Sequence, residues 1–175
     1  MALTALAIPS QVTTFPCPYD ATLAFCSAQT VTATGLITGN VNSFLDLGGA
    51  NPVSAVGRTD FIWNVDITAA NFGTADESYT LRLLGSQDST FANGNCELLV
   101  MHDIAATAAL RSLATVLGAT PTIPPTGLAG TLFQFPATNL MQRIYYRYLK
   151  MQMTVVGTGP SVTMTSWISR AEIDI

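Results

Sequence analysis

The chain holds a single histidine, His102, the only side chain whose unperturbed pKa lies near neutrality. A nucleophilic triad sets Ser or Cys beside such a base and orients the base with a third group. Asp103 adjoins His102, yet neighbours on a strand point to opposite faces and do not meet. The sequence contains no Gly-x-Ser-x-Gly elbow either. His102 is therefore expected to close a strand rather than act as a base, and no enzymatic activity is expected. Glycoside cleavage would need two carboxylates flanking one bond. Among eleven acidic residues, Asp60 and Asp66 share a strand face, but at about 3.3 Å per residue they stand roughly 20 Å apart.

Cys17, Cys26 and Cys96 form an odd set without a C-x-x-C pair, so no metal site is expected. Buried free thiols are the expected state, with a Cys17 to Cys26 bridge as the alternative. "GTGPS" resembles a phosphate loop only superficially, because Pro160 and a following strand replace the helix such a loop requires. It reads as a hairpin turn, and no cofactor is expected. "RIYYRY", Arg143 to Tyr148, is the most binding-like stretch, since Tyr and Arg dominate interface hot spots and Tyr rings stack on sugars. Tyr145, Tyr146, Tyr148 and Trp167 are the candidate sugar-stacking residues. Packing at a sheet edge is the competing use of the same rings. On a strand, Arg143 and Arg147 would share one face and Lys150 the other.

Charge narrows the function classes further. Charged residues make up 10% of the chain, against roughly 25% in an ordinary soluble domain. A surface so poor in charge is expected to be covered by other protein. With seven Lys and Arg and a net charge of −4, no nucleic-acid partner is expected. No run reaches the roughly 20 apolar residues of a membrane span, so no membrane partner is expected. "MALTALAIPS" lacks a basic start and breaks at Pro9, so it is not expected to act as a secretory signal.

The elements that must position these residues read as strands. Residues 1–19 hold Pro9, Pro16 and Pro18 and little periodicity, which predicts an extended arm ahead of a single domain over 20–175. "AFCSAQTVTATG" is an entry strand with Val31 and Ala33 inward and Thr30, Thr32 and Thr34 outward or at an interface, where small hydroxylated side chains allow another backbone to come close. In "TDFIWNVDI", Phe61, Trp63, Val65 and Ile67 alternate with Asp60, Ile62, Asn64 and Asp66. "SYTLRLLGS" turns Tyr79, Leu81 and Leu83 to one side, and "CELLVMH" is a further short apolar strand. "YLKMQMTVVGTGPSVTMTSWIS" reads as a hairpin, with Leu149, Met151, Met153, Val155, Val162, Met164 and Ile168 inward. Residues 104–117 are Ala- and Leu-rich and run into Gly118, which suits a helix, with a strand plus loop as the competitor. "TPTIPPTGLAG" is a loop and "TLFQFP" another strand. Without βαβ alternation the pattern predicts an all-β fold, a jelly-roll or Greek-key β-sandwich of about eight strands.

Four segments in order, "YDATLAFCSAQTVTATG", "FLDLGG", "YTLRLLGSQDSTF" and "RYLKMQMTVVGTGPSVTMTSWI", resemble the capsid cement (decoration) protein of the short-tailed Bordetella phages and its relatives. The resemblance extends over most of residues 19–170. It implies a jelly-roll structural protein of the virion that binds the outside of an icosahedral head and bridges subunits of the major capsid protein. It implies assembly in the host cytoplasm, and neither catalytic residue nor cofactor. A homo-oligomer, dimer or trimer, is the expected form of the free protein. The capsid-contact candidates are Ile8, Pro9, Val12, Phe15, Pro16 and Tyr19 of the arm, with Ile123, Pro124, Pro125 and Leu128 of the proline-rich loop. Both segments are apolar, uncharged and poorly suited to free solution. A carbohydrate-binding or adhesin module of a tail or surface protein is the alternative reading.

Overall fold

The computed structural model describes residues 19–48, 57–73, 76–92, 96–105 and 130–170. Two antiparallel sheets account for most of them. The first places β1 (Ala24–Val31), β11 (Val162–Arg170), β4 (Asp60–Ala70) and β7 (Thr131–Thr138) side by side in that order. The second runs β2 (Gly35–Leu36), β10 (Tyr148–Val156), β5 (Ser78–Ser86) and β6 (Cys96–Ala105), with β3 (Leu45–Asp46) also pairing β10. A separate small ribbon joins β8 (Leu140–Met141) to β9 (Ile144–Tyr145).

Alternation explains the layering. Phe61, Trp63, Val65 and Ile67 of β4 all turn inward, and Trp63 and Val65 lie in register with Phe135 and Phe133 of β7. From the second sheet, Tyr79, Leu81, Leu83, Leu149, Met151 and Met153 join the same buried cluster. The inner faces thus share one core in a sandwich-like arrangement, each large side chain contributing about 1.5–3 kcal/mol by leaving water. Polar atoms within the core pair with one another: Trp63 Nε1 donates to Ser166 Oγ at 2.9 Å, and that hydroxyl donates to the Asn64 carbonyl at 3.0 Å.

Three expectations require correction. The segment 148–168 is not a hairpin, because β10 pairs with β2, β3 and β5 while β11 pairs with β1 and β4 in the other sheet. Gly157 to Ser161 therefore form an arch that carries the chain from one sheet to the other. Gly157 adopts φ +109°, and a Cβ there would lie 2.7 Å from the Glu77 Cα, so only glycine fits. Tyr79 holds the far side of the arch: its hydroxyl accepts from Ser161 N at 2.9 Å and lies 2.6 Å from the Asn71 carbonyl. The second correction concerns the start of the expected helix. Ile104 and Ala105 continue β6 in register with Tyr79 and Ser78, so burial of Ile104 in the shared core overrides local helix propensity; residues 106–117 lie outside the described residues. Third, Ala33 is exposed, since β1 stops at Val31 and the inward alternation ends with it.

The outer edge of β1 is closed by the chain itself. Asn40 pairs with Ser27 as a neighbouring strand would, accepting from its N–H at 2.8 Å and donating to its carbonyl at 2.6 Å. Asn42 Nδ2 donates to the Ala24 carbonyl at 2.7 Å, and its backbone N–H donates to that of Phe25. Gly39 allows this approach, for its Cβ position lies 2.2 Å from the Phe25 carbonyl oxygen. Side-chain amides here occupy the groups through which an open edge recruits foreign strands.

Candidate functional site

The residues with chemical potential are dispersed by the fold. His102, opposite Leu81 in the β5–β6 ladder, packs its ring on Phe133 and Phe135, with centroids 4.8 and 5.0 Å away. Asp103 lies opposite Thr80 on the other face of β6. Asp60 is engaged by Arg58 at 2.9 Å, and that hydrogen bond holds its carboxyl below the usual range. Cys26 is a buried free thiol whose Sγ lies 3.7 Å from the Met164 carbonyl, while Cys96 is free and exposed. Burial pushes the Cys26 thiol up to about 11. Among the described residues no group of three or more His, Cys, Asp or Glu could hold a metal ion. No described helix is long and apolar enough to cross a membrane.

The Arg- and Tyr-rich stretch does come together, in a form the sequence did not predict. It is not one strand: Leu140 pairs with Tyr145 and Met141 with Ile144 around a two-residue turn. Gln142 and Arg143 form the tip with φ +51° and +68°. This is the backbone of a type I′ hairpin, normally built from Asn-Gly because both central residues are left-handed. Ile144 and Tyr145 are 46% and 40% exposed, and Arg143 beside them is exposed at the tip.

The hairpin's base is fixed. The buried Asn139 side chain accepts from Thr59 N at 2.7 Å and donates to the Gly57 and Tyr146 carbonyls, each at 3.1 Å. Its backbone is also paired, with Asn139 N donating to the Thr59 carbonyl and Tyr146 N to that of Asn139. Gln87 Nε2 donates to the Tyr145 carbonyl. Tyr146, 8% exposed, packs over Gly85, where a Cβ would come within 2.8 Å of the tyrosine Cβ. Arg147 then forms a bidentate pair with Asp46 at 2.7 and 2.8 Å, and this hydrogen-bonded pairing lowers the Asp46 carboxyl. Tyr148 packs edge-on against Phe44.

The four sugar-stacking candidates therefore do not make one exposed row. Trp167 belongs to β11 of the first sheet, is 7% exposed, and meets Tyr19 edge-on at 5.7 Å. Tyr146 is buried, Tyr148 half-buried, and only Tyr145 presents its ring freely. The Asn64 and Trp167 pair in β4 and β11 faces away from the core, where Asn64 donates to Ser169 Oγ at 3.0 Å and accepts from Gln134 at 3.1 Å. Of the capsid-contact candidates, Tyr19 is described and exposed. Ile8, Pro9, Val12, Phe15, Pro16, Ile123, Pro124, Pro125 and Leu128 lie outside the described residues. Sequence reasoning missed Asn139 and the Gln142–Arg143 tip. The available signal was two apolar pairs, Leu140–Met141 and Ile144–Tyr145, flanking two polar residues; the absence of Asn or Gly concealed it.

The chain matches no protein-family model and no curated protein.

Proposed function

We propose that the protein is a capsid cement protein, a jelly roll that attaches to the outside of an icosahedral phage head and stabilises contacts between major capsid protein subunits. The observation that carries this reading is the strand order. Taking β2 and the seven long strands among the described residues as one to eight in chain order, the sheets read 1-8-3-6 and 2-7-4-5. That order is what two Greek keys wound together generate, and viral capsid and lectin domains both use it. Between these two uses, the burial of Tyr146 and Trp167 removes the flat aromatic platform that sugar stacking needs. The low charge content favours a surface that ends against protein, and the resemblance to the Bordetella-phage cement family points the same way. The virion exterior is the corresponding location, with the major capsid protein and further copies of this chain as partners.

Physically, such a protein acts by linkage: whatever binds only the intact shell stabilises it by mass action. Each copy that touches more than one subunit gains from effective concentration. Co-sedimentation of the purified protein with empty, expanded heads of a short-tailed Bordetella-type phage tests the reading. Saturable binding and a higher disruption temperature of the decorated heads are expected; protein left wholly in the supernatant at all salt concentrations contradicts it. Removing residues 1–18 is expected to weaken attachment in the same assay, and unchanged occupancy rules out the arm as a contact.

A further inference from the structure

The hairpin Leu140–Tyr145 combines three independent features. First, its tip is strained. Two consecutive non-glycine residues, Gln142 and Arg143, are held at positive φ, each at a cost of about 1 kcal/mol or more. Such conformations persist where the surroundings over-determine them, and they concentrate at functional positions. Second, the surroundings do over-determine this one. Asn139, Gln87 and the buried Tyr146 fix both ends of the ribbon, so the tip is presented rigidly and loses little entropy on binding.

Third, its composition suits a protein partner. Ile144 and Tyr145 are exposed apolar side chains on opposite faces of the ribbon, so both walls of the hairpin are apolar. Arg143 carries no ion pair among the described residues, whereas Arg58 is bound by Asp60 and Arg147 by Asp46. Arg82 donates to Thr154 at 2.6 Å, and Lys150 sits over the Phe91 ring. In a chain of net charge −4, a cation kept unpaired at a rigid apolar tip complements a carboxylate. One arginine is too few for a phosphate backbone, whose binding requires several cations.

We propose that this hairpin is a docking peg that inserts Ile144 and Tyr145 into an apolar recess of the shell protein while Arg143 pairs with a carboxylate at its rim. This rests on the cement reading above and adds to it the contact element and the chemistry of its receptor. A two-residue tip is far smaller than the roughly 1,000 Å² of a self-sufficient interface, so the peg supplies specificity within a larger footprint.

The test titrates full-length wild-type protein, Arg143→Glu, Ile144→Ser/Tyr145→Ser and Gln142→Asn/Arg143→Gly onto the same empty heads, with thermal melting and sedimentation of each free protein. Arg143→Glu and the double serine variant are expected to bind about tenfold more weakly or worse, the range of a lost hot spot, with melting close to wild type. Gln142→Asn/Arg143→Gly is the decisive variant, because it relieves the left-handed strain while removing the cation. It is expected to melt higher than wild type yet bind more weakly, a combination that a purely structural hairpin would not give. Wild-type binding with all three variants equal to it overturns the peg and leaves the cement reading standing. Absence of wild-type binding overturns both. Dissociation of a free oligomer in the hairpin variants would show that the peg's receptor is a second copy of this chain, which also overturns the proposal.

Discussion

Asn139 serves three backbone groups with one buried amide, and its loss strands all of them. A fully buried group left unpaired costs about 1–3 kcal/mol, and two of these three bonds are only part-buried, so Asn139→Ala is expected to destabilise the fold by about 2–4 kcal/mol. Chemical denaturation would read this directly; a change under about 0.5 kcal/mol, the range of neutral surface substitutions, would deny the residue its anchoring role. Cys26 gives a pH prediction at the same scale. Burial holds its thiol near 11, above its ordinary 9.0, so the folded chain retains a proton that the unfolded chain releases. The associated stability is fully present below pH 9 and is lost as pH rises through 11. Across that window wild-type stability is expected to fall more steeply than that of Cys26→Ala, by on the order of 2 kcal/mol. Parallel profiles would mean the thiol does not titrate in this way. Native labelling should modify exposed Cys96 and spare Cys26.

At the scale of elements, the arch and the closed edge bear most of the architecture. Gly157→Ala would place a methyl group against the Glu77 backbone at a φ that favours glycine. A loss of at least about 2 kcal/mol is expected in equilibrium unfolding. Asn40→Ala/Asn42→Ala would uncover the groups of β1 that those amides occupy, and increased self-association by light scattering is expected. Unchanged scattering would show that the edge needs no cover. These elements were unequally legible. The alternation in β4, Phe61 through Ile67, and the inward Leu149, Met151 and Met153 of β10 were readable because period-two burial is local. The arch was not. "GTGPS" reports a reversal of the chain, but the sheet that receives β11 depends on pairing with β1 and β4, far away in sequence. "RIYYRY" was misread as a strand for a related reason, since the left-handed turn at Gln142 and Arg143 has neither glycine nor asparagine to announce it. No local pattern marks Asn40 and Asn42, which the fold sets beside Ser27 and Ala24.

For the molecule as a whole, the bland run Ala24 to Gly35 takes on a definite role. Its small residues admit a close backbone approach, as expected, but the segment that approaches is Gly39 to Asn42 of the same chain. That edge is therefore occupied from within the chain, and the contact proposed for a partner lies at the hairpin Leu140–Tyr145. The chain carries few charges, and two of its cations are paired within it, Arg58 with Asp60 and Arg147 with Asp46; in the proposed reading, a surface this poor in charge suits a repeated contact on a symmetric shell. Imaging empty heads after incubation with the purified protein tests this most directly. Regular extra density at symmetry-related positions above the capsomer junctions is the expected result. Bare heads at saturating protein, in low and high salt alike, would contradict it.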